Sequence, residues 1–269
     1  MHHTPKDAQY HINCRHSDLA QYLLVAGDPE RVPKIAKLWS NAKQVSSHRE
    51  FRAFTGIFKN VDVSAISSGI GPAAMSIVVN EAANIGVHTF IRVGSCGALQ
   101  KNINCGDLII SSAAVRLDGT SNCYVTPEYP AVADYEVLMA LIEAAESLGV
   151  KYHVGITATV SDFYAGQARV SDNNFSSSKC ESLIQALQKA NVLNFEMETA
   201  TLFALCSLFG LRAGAVCAVY ANRVTGKFKP YAGEEDCIKV ANETVKILDS
   251  WNKKKKTQKK KWLFPSLLY

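Results

Sequence analysis

The sequence has 269 residues, which suits a single α/β unit, and its 48% hydrophobic content excludes a largely disordered chain. The formal net charge of +5 depends on seven lysines after Asn252, at positions 253–256 and 259–261. Without them the body carries 29 − 7 = 22 basic residues against 24 acidic ones. We therefore expect no basic nucleic-acid-binding face on the folded body.

Strands and helices are predicted to alternate along the body. Short apolar runs bounded by turn residues predict strands, and apolar residues at helical spacing predict helices. The predicted strands are 22–26, 61–67, 89–93, 108–111, 154–159 and 213–220. The predicted helices are 31–38, 73–85, 135–148, 182–190, 198–209 and 234–251. This order favours one α/β domain over residues 1–252, with a parallel or mixed sheet and helices on both faces.

We expect neither secretion nor a membrane span. The first residues lack the apolar region of a signal peptide, and no run of about 18 apolar residues occurs. The eight cysteines are scattered without a CxxC pair, so neither a zinc site nor a disulfide framework is indicated. This usage favours a reducing, cytoplasmic location.

The segment 253–269 differs in composition from the body and is expected to be a disordered tail. Its like-charged lysines repel one another, and Pro265 interrupts any helix there. Because the lysines adjoin an apolar stretch that includes Trp262, a membrane-surface role stays open. The alternative is a mobile extension with no part in catalysis.

Three glycine-containing segments, 27–31, 69–71 and 94–97, follow predicted strands. In open α/β sheets, ligands bind at the carboxyl ends of strands, where small residues let backbone N–H groups approach an anion. Each segment is also compatible with an ordinary strand-to-helix turn. None matches the dinucleotide fingerprint or the phosphate loop of nucleotide-binding proteins.

Arginines near these segments favour an oxyanion ligand such as inorganic phosphate. Arg31 follows the first segment, Arg49 precedes the second, and Arg92 directly precedes the third. Arginine binds oxyanions through a planar fork of donors. A solvated surface charge is the alternative for Arg31 and Arg49. Arg92 lies in an apolar strand, so its charge requires a buried partner.

Two further clusters offer groups for a sugar and a planar ring. Glu196 and Glu198 enter a predicted helix, where they could accept hydrogen bonds from a diol or simply form an acidic helix N-terminus. The segment 163–169 supplies an aromatic ring, a carboxamide and a guanidinium, although an ordinary polar loop is the alternative. Asn222 and Arg223 follow another apolar strand, again at an end where ligands bind.

In order and spacing, these residues resemble the nucleoside phosphorylase-I family, and in detail its bacterial-type uridine phosphorylases. The resemblance spans about residues 8–250 and is strongest in LLVAGDPERVPKIA, SSHREF, TFIRVGSCGALQ, FYAGQAR and NFEMETATL. It implies one three-layer α/β domain with a mixed, partly barrel-like central sheet flanked by helices. It also implies a homo-oligomer in which dimers share their active sites and assemble as a trimer of dimers.

The resemblance assigns a role to each candidate residue. Phosphate is assigned to Gly27, Arg31, Arg92, Ser95 and, from the neighbouring subunit, Arg49. Ribose is assigned to Glu198, the Met197 backbone and the neighbour's His11. The base is assigned to Phe163, Gln167 and Arg169, with Glu196 and Arg223 supporting that polar network. The implied catalytic residues are Arg92, Gln167, Arg169 and Glu198.

The implied activity is reversible phosphorolysis of uridine to uracil and ribose 1-phosphate, in pyrimidine nucleoside catabolism and salvage. Gln167 with Arg169 marks the uridine enzymes, whereas the purine enzymes carry an aspartate where this chain has Asn222. Residues 94–97, by contrast, have the purine enzymes' sequence. The alternatives are a purine nucleoside phosphorylase of the same fold, a nucleosidase that uses water, and a non-catalytic nucleoside-binding relative.

Other positions depart from the family pattern. Tyr220 and Ala221 stand where smaller branched residues pack near C5 of uracil, which leaves the acceptance of 5-substituted pyrimidines open. Glu50 and Ile70 match the interfacial potassium ligands of some members, but Ala74 replaces a serine that would donate. No metal or cofactor is expected, since inorganic phosphate is a co-substrate.

Overall fold

Ten strands form one sheet in the computed structural model, which describes residues 8–169 and 178–268. Every predicted strand is present, and most extend beyond their predicted bounds because the flanking residues continue the pairing. The strands are β1 (Tyr22–Ala26), β2 (Ser40–His48), β3 (Phe51–Phe58), β4 (Val61–Ser67), β5 (Thr89–Ala98), β6 (Leu108–Leu117), β7 (Ala131–Val132), β8 (Tyr152–Val160), β9 (Asn194–Glu196) and β10 (Arg212–Asn222).

The sheet is mixed and closes on itself at one end, which confirms the expected partly barrel-like architecture. The strand order is β10-β6-β8-β9-β5-β1-β4-β3-β2, and a further pairing of β10 with β5 joins five strands into a ring. Strands β1, β4, β5 and β10 run parallel, whereas β2 and β3 form an antiparallel hairpin at the open edge. The carboxyl ends of the four parallel strands therefore lie on the same side of the sheet.

Six helices are found among the described residues, and they cover both faces of the sheet. Alternate residues of β1 and β5 point to opposite faces, so Leu24 and Ile91 join one hydrophobic cluster while Leu23 and Phe90 join another. None of these helices is long and apolar enough to cross a membrane. The helices are α1 (Arg31–Ala36), α2 (Pro72–Asn84), α3 (Tyr135–Leu148), α4 (Ser178–Lys189), α5 (Thr199–Leu208) and α6 (Glu234–Thr257).

The glycine segment 94–97 is not the turn that the sequence suggested, because it lies inside β5. A side chain would not fit at Gly94, because its Cβ would lie 2.7 Å from Cys217 Sγ and 2.9 Å from the guanidinium carbon of Arg92. The glycine thus permits close packing of β5 on β10, where ring closure requires it.

The C-terminal segment differs from the disordered tail that we expected. Helix α6 continues to Thr257, and beyond it Leu263 and Leu267 are buried in the same cluster as α3 and α6. The hydroxyl of Tyr135 donates to the carbonyl of Leu263 at 3.1 Å and accepts from its N–H at 3.0 Å. The segment is therefore anchored to the body by two leucines and by its backbone.

Opposite charges explain why the lysines do not prevent this packing. Lys255 pairs with the buried carboxylate of Glu136, at 2.6 Å from Oε1, and Lys253 pairs with Asp249 at 2.7 Å. Lys254–Lys256 also occupy the last turn of α6, where the helix dipole favours cations. The acidic partners that folding brings to the lysine run thus offset the repulsion within it.

The anchored segment predicts a loss of stability when its buried leucines are removed. Leu267→Ala should lower the free energy of unfolding by about 2 kcal/mol, and Tm by about 4 °C, because it leaves a cavity beside α3 and α6. Truncation after Asn252 should cost more. The control is Ser266→Ala, since Ser266 is exposed. Denaturant and thermal unfolding measure both effects, and unchanged curves for Leu267→Ala and the truncated chain would show that the segment does not pack.

Candidate active site

A cavity of about 510 Å³ opens at the carboxyl ends of the four parallel strands. Backbone and side chains from the loops after β1, β4 and β8 meet there with the last residues of β5 and β10. Most predicted site residues are found in its wall. The predicted residues that line it are Gly27, Arg31, Arg92, Ser95, Phe163, Gln167, Arg169, Glu196, Met197 and Glu198.

A buried guanidinium and two carboxylates lie together in the wall of the cavity. Arg92 donates from Nε to Glu196 Oε2 at 2.9 Å and contacts Glu198 Oε2 through Nη2 at 2.5 Å. Burial alone would lower the pKa of Arg92, but the two carboxylates outweigh it and raise the pKa above its usual value. The prediction that Arg92 needs a buried partner is thus confirmed, and its charge is retained.

The two carboxylates differ in the hydrogen bonds that they accept. Glu196 Oε2 also accepts the backbone N–H groups of Glu198 and Thr199, at 2.8 and 2.9 Å, and Oε1 accepts the hydroxyl of Thr159. Glu196 therefore anchors the start of α5. Glu198 accepts the backbone N–H of Gly71 at 2.6 Å, which leaves lone pairs on both of its oxygens.

The surroundings of Glu198 adjust its charge and its position. Burial raises the pKa of its carboxyl, an effect that Arg92 opposes and Glu196 reinforces. Gly71 adopts a φ of 106°, which a glycine tolerates and which aims its N–H at the carboxylate. Arg92 lines the cavity, and its buried Nη1 has no hydrogen-bond partner among the described residues, so one strong donor is left unpaired.

The end of the cavity beside Phe163 has one arginine, Arg169, in its wall and a second, Arg223, outside the wall and bonded to Gln167. The guanidinium carbon of Arg169 lies 4.2 Å from the ring centroid of Phe163. Arg223 donates from Nη2 to the carbonyl of Gln167 at 2.8 Å. Neither arginine forms an ion pair with any described residue, and Arg169 Nε and Arg223 Nη1 are buried without partners. This end therefore presents a flat ring beside unsatisfied cationic donors.

The pKa shifts of these two arginines agree with that description. Burial lowers the pKa of Arg169, and burial together with the neighbouring Arg169 charge lowers the pKa of Arg223. A buried cation without a counter-ion is destabilised until an electron-rich group approaches it. The arrangement suits a planar ligand with oxygen atoms along one edge.

Asn222 lies outside the cavity wall, and its side chain belongs to its own turn. Its Nδ2 donates to the carbonyls of Gln100 and Ile103 at 2.9 and 2.6 Å, and its Oδ1 accepts from the backbone N–H groups of Val224 and Thr225. Because both its donors and its acceptor are used in this way, the Asn222 amide cannot protonate a ligand. Residue type and position suggested a ligand-binding end, but the hydrogen bonds give Asn222 a structural role.

His11 and Arg49 lie together on the surface rather than in the cavity wall. His11 Nδ1 is 2.6 Å from Glu81 Oε1, and the Arg49 guanidinium stacks over the ring of Tyr10 at 5.6 Å. Tyr10 in turn packs edge-on against the His11 ring. The structure thus groups the two residues that were assigned to a neighbouring subunit, and that assignment stays a prediction.

Glu50 and Ile70 also lie close together, at the rim of the cavity. Ile70 is 79% exposed, and a Cβ placed on the adjoining Gly69 would lie 2.9 Å from Glu50 Cγ. Within 8–169 and 178–268, no three histidine, cysteine or acidic side chains cluster closely enough to hold a metal ion. The potassium contact stays a prediction.

Three aromatic residues of the cavity wall were not predicted as site residues: Phe195, Tyr220 and Phe228. Phe228 lines the cavity although it is 68% exposed, because its backbone bridges to Ala221 at the end of β10. In the sequence it is one of several apolar residues in the loop after β10, which alone does not indicate a site. Tyr220 was noted only as a departure from the family pattern, yet its side chain forms part of the wall.

Comparison with known proteins agrees with this geometry. Residues 21–250 match the Phosphorylase superfamily. The chain is 53% identical over 264 residues to a uridine phosphorylase of Thermococcus kodakarensis, which covers 98% of this chain and 95% of that protein. It is 42% identical over 226 residues to a uridine phosphorylase of Escherichia coli, which covers 81% of this chain and 87% of that protein.

A relative named for another substrate is less similar in sequence. A guanosine phosphorylase of Halorubrum lacusprofundi is 35% identical over 237 residues, which cover 88% of this chain and 93% of that protein. The similarity thus spans proteins named for a pyrimidine nucleoside and one named for a purine nucleoside, so the choice of base depends on individual residues.

Proposed function

We propose, since this chain belongs to the phosphorylase superfamily, that it catalyses the reversible phosphorolysis of uridine to uracil and ribose 1-phosphate. The observation that carries the proposal is the polarity of the cavity. Arg31 and Arg92 in its wall are paired with carboxylates, Glu198 lies beside Arg92, and Arg169, which has no acidic partner among the described residues, stacks on Phe163. Phosphate, ribose and uracil, in that order, have the complementary chemistry.

Phosphate binding is assigned to the end that holds Arg92. The open Nη1 donor of Arg92, the guanidinium of Arg31, the hydroxyl of Ser95 and the backbone of Gly27 would surround the anion. Their mixture of charged forks and small donors suits a tetrahedral oxyanion. Phosphate bound there would lie beneath the sugar and would attack its C1′ atom.

Ribose binding is assigned to Glu198 and to the backbone of Met197. The lone pairs of Glu198 that Gly71 and Arg92 do not use can accept the two hydroxyls of the sugar. This contact would fix C1′ between phosphate and base. Because the reacting atoms are already held in line, less entropy is lost when they reach the transition state.

The reaction needs no nucleophilic side chain. As the C1′–N1 bond breaks, positive charge develops on ribose and negative charge on uracil. Phosphate stabilises the first charge and then forms the new bond to C1′. Arg169 and Gln167 stabilise the second by hydrogen bonds to the oxygen edge of the base, and one such aimed donor contributes roughly 3–4 kcal/mol. Phe163 packs on the ring, while Glu196 and Arg223 support the network.

The proposal includes a homo-oligomer with shared sites. His11 and Arg49 of a neighbouring subunit would reach the 5′-hydroxyl and the phosphate, with dimers assembled as a homohexamer. Support comes from their common position on the surface, apart from the cavity of their own chain. We place the enzyme in cytoplasmic pyrimidine salvage, without a cofactor.

Dependence on phosphate is the first test of this function. Uridine should disappear only when inorganic phosphate is present, and the sugar product should be ribose 1-phosphate, because the arginines of the cavity bind the nucleophile. Uracil absorbance and an assay for the sugar phosphate measure this. Equal loss of uridine in phosphate-free buffer, with free ribose as product, would identify a hydrolase instead.

Base choice is the second test. The kcat/KM for uridine should exceed that for inosine or guanosine, because Asn222 supplies no acid to a purine while Arg169 serves uracil. Arg169→Ala should lower kcat/KM for uridine about 100-fold and leave the KM for phosphate within about twofold. Arg15→Ala, on an exposed arginine, is the matched control. A higher kcat/KM for a purine nucleoside in the unaltered protein would refute the assignment.

Shared sites are tested by mixing two inactive variants. Arg49→Ala and Glu198→Ala chains should each have little activity alone, whereas their hybrid contains one site with Glu198 from one chain and Arg49 from the other. Mixing should therefore restore part of the activity. Native mass spectrometry shows whether subunits have exchanged, and exchange without recovered activity would count against a site built from two subunits.

A further inference from the structure

A second carboxylate, outside the reacting centre, holds one of the cavity arginines. Glu234 opens helix α6 and is 7% exposed. It accepts hydrogen bonds from Arg31 Nε at 3.0 Å, from the Tyr220 hydroxyl at 2.7 Å and from Lys34 Nζ at 2.6 Å. Arg31 and Tyr220 both line the cavity, whereas Glu234 does not. The carboxylate thus acts on the cavity through these two neighbours.

Three of the five N–H donors of the Arg31 guanidinium make hydrogen bonds within the protein. Besides Nε, its Nη1 donates to the carbonyl of Val93 at 3.1 Å and its Nη2 donates to the Tyr220 hydroxyl at 3.3 Å. One N–H on each terminal nitrogen stays unused. The protein therefore fixes the plane and direction of the fork and leaves two donors for a ligand.

An irregularity in β10 brings Tyr220 into this network. The pairing of β10 with β5 shifts register there, since Val219 is opposite Cys96 and Ala221 is opposite Gly97. Tyr220 is the extra residue of a β-bulge, a feature that re-aims a side chain. Its ring packs against Tyr231, with centroids 5.9 Å apart, so the phenol is supported at both its ring and its hydroxyl.

The network of Arg31, Lys34 and Glu234 has a net positive charge, which favours binding of an anion. A free carboxylate near a phosphate site would repel the ligand, but Glu234 is shared by Arg31 and Lys34. Burial tends to raise the pKa of Glu234, while hydrogen bonds from Lys34, Tyr220 and Arg31 outweigh it and hold the pKa below its usual value. The group of two cations and one anion keeps a net positive charge beside the cavity.

We infer that Glu234 and Tyr220 are positioning residues that orient Arg31 for inorganic phosphate and so determine the affinity for this co-substrate. The inference rests on the proposed function. Glu234 lies outside the cavity wall, and the proposed reaction gives neither residue a role in breaking the C1′–N1 bond. Their contribution is the orientation of a donor before the ligand arrives, which lowers the ordering cost of binding. Phosphate affinity should therefore respond to these residues far more than turnover does.

Kinetics at varied phosphate concentration test this inference. Glu234→Gln and Tyr220→Phe should each raise the KM for phosphate about tenfold, as expected for a lost hydrogen bond to a charged group. For Glu234→Gln, whose side chain lies outside the cavity wall, the kcat at saturating phosphate and the KM for uridine should stay within about twofold. The matched control is Glu235→Gln, the same substitution one residue later, where the side chain is 82% exposed and pairs with Lys239 on its own helix.

A second background shows whether Glu234 acts through Arg31. In a chain that already carries Arg31→Ala, adding Glu234→Gln should raise the KM for phosphate by a further factor of less than about two, because no guanidinium is left to orient. A full additional effect there would overturn the inference, as would an unchanged phosphate KM or a fall in kcat alone. If Glu234→Gln does not fold, Tyr220→Phe, which keeps the carboxylate, decides. Failure of the proposed function would be visible separately, as uridine cleavage by the unaltered protein that does not depend on phosphate.

Discussion

A buried ion-pair network fixes both the local fold and the cavity. Arg92 lies in the middle of β5 and is neutralised by Glu196 on β9 and by Glu198 at the start of α5. Glu198 also accepts the N–H of Gly71, at the start of α2. Removing one partner of such a pair costs about 3–5 kcal/mol, since the other charge stays buried. The positions of two strands and two helices therefore depend on the charges that face the ligand.

Buried and locally capped elements were predictable from the sequence, whereas exposed and non-local ones were not. The strand Tyr22–Ala26 and the helix Tyr135–Leu148 have their predicted bounds, because an apolar run and the caps Asp134 and Gly149 are local signals. Strand β2 was missed, since most of its residues face solvent and show no alternation. Closure of the ring was implied by the family resemblance alone, because it depends on pairing between strands far apart in the chain.

The residue types of the cavity were predictable, but the use of each donor and acceptor was not. Arg31 and Glu196 are the right chemistry for a ligand, yet most of their hydrogen bonds hold the protein together. The same holds for Lys255 near the C-terminus, whose partner could not be predicted because Glu136 lies 119 residues away in sequence. A sequence shows which groups can pair, whereas the fold decides which groups have already done so.

The contrast between paired and unpaired arginines has a physical reason in the proposed reaction. Phosphate enters as an anion, so Arg92 and Arg31 can be partly neutralised by carboxylates and still bind it through fixed, open donors. Uracil is neutral when bound and gains negative charge only as its bond to ribose breaks. In that reaction Arg169, whose charge no described acid compensates, would interact more strongly with the departing base than with bound uridine. Only interactions that strengthen in the transition state accelerate a reaction, so uncompensated charge is most effective at the end of the cavity where charge develops.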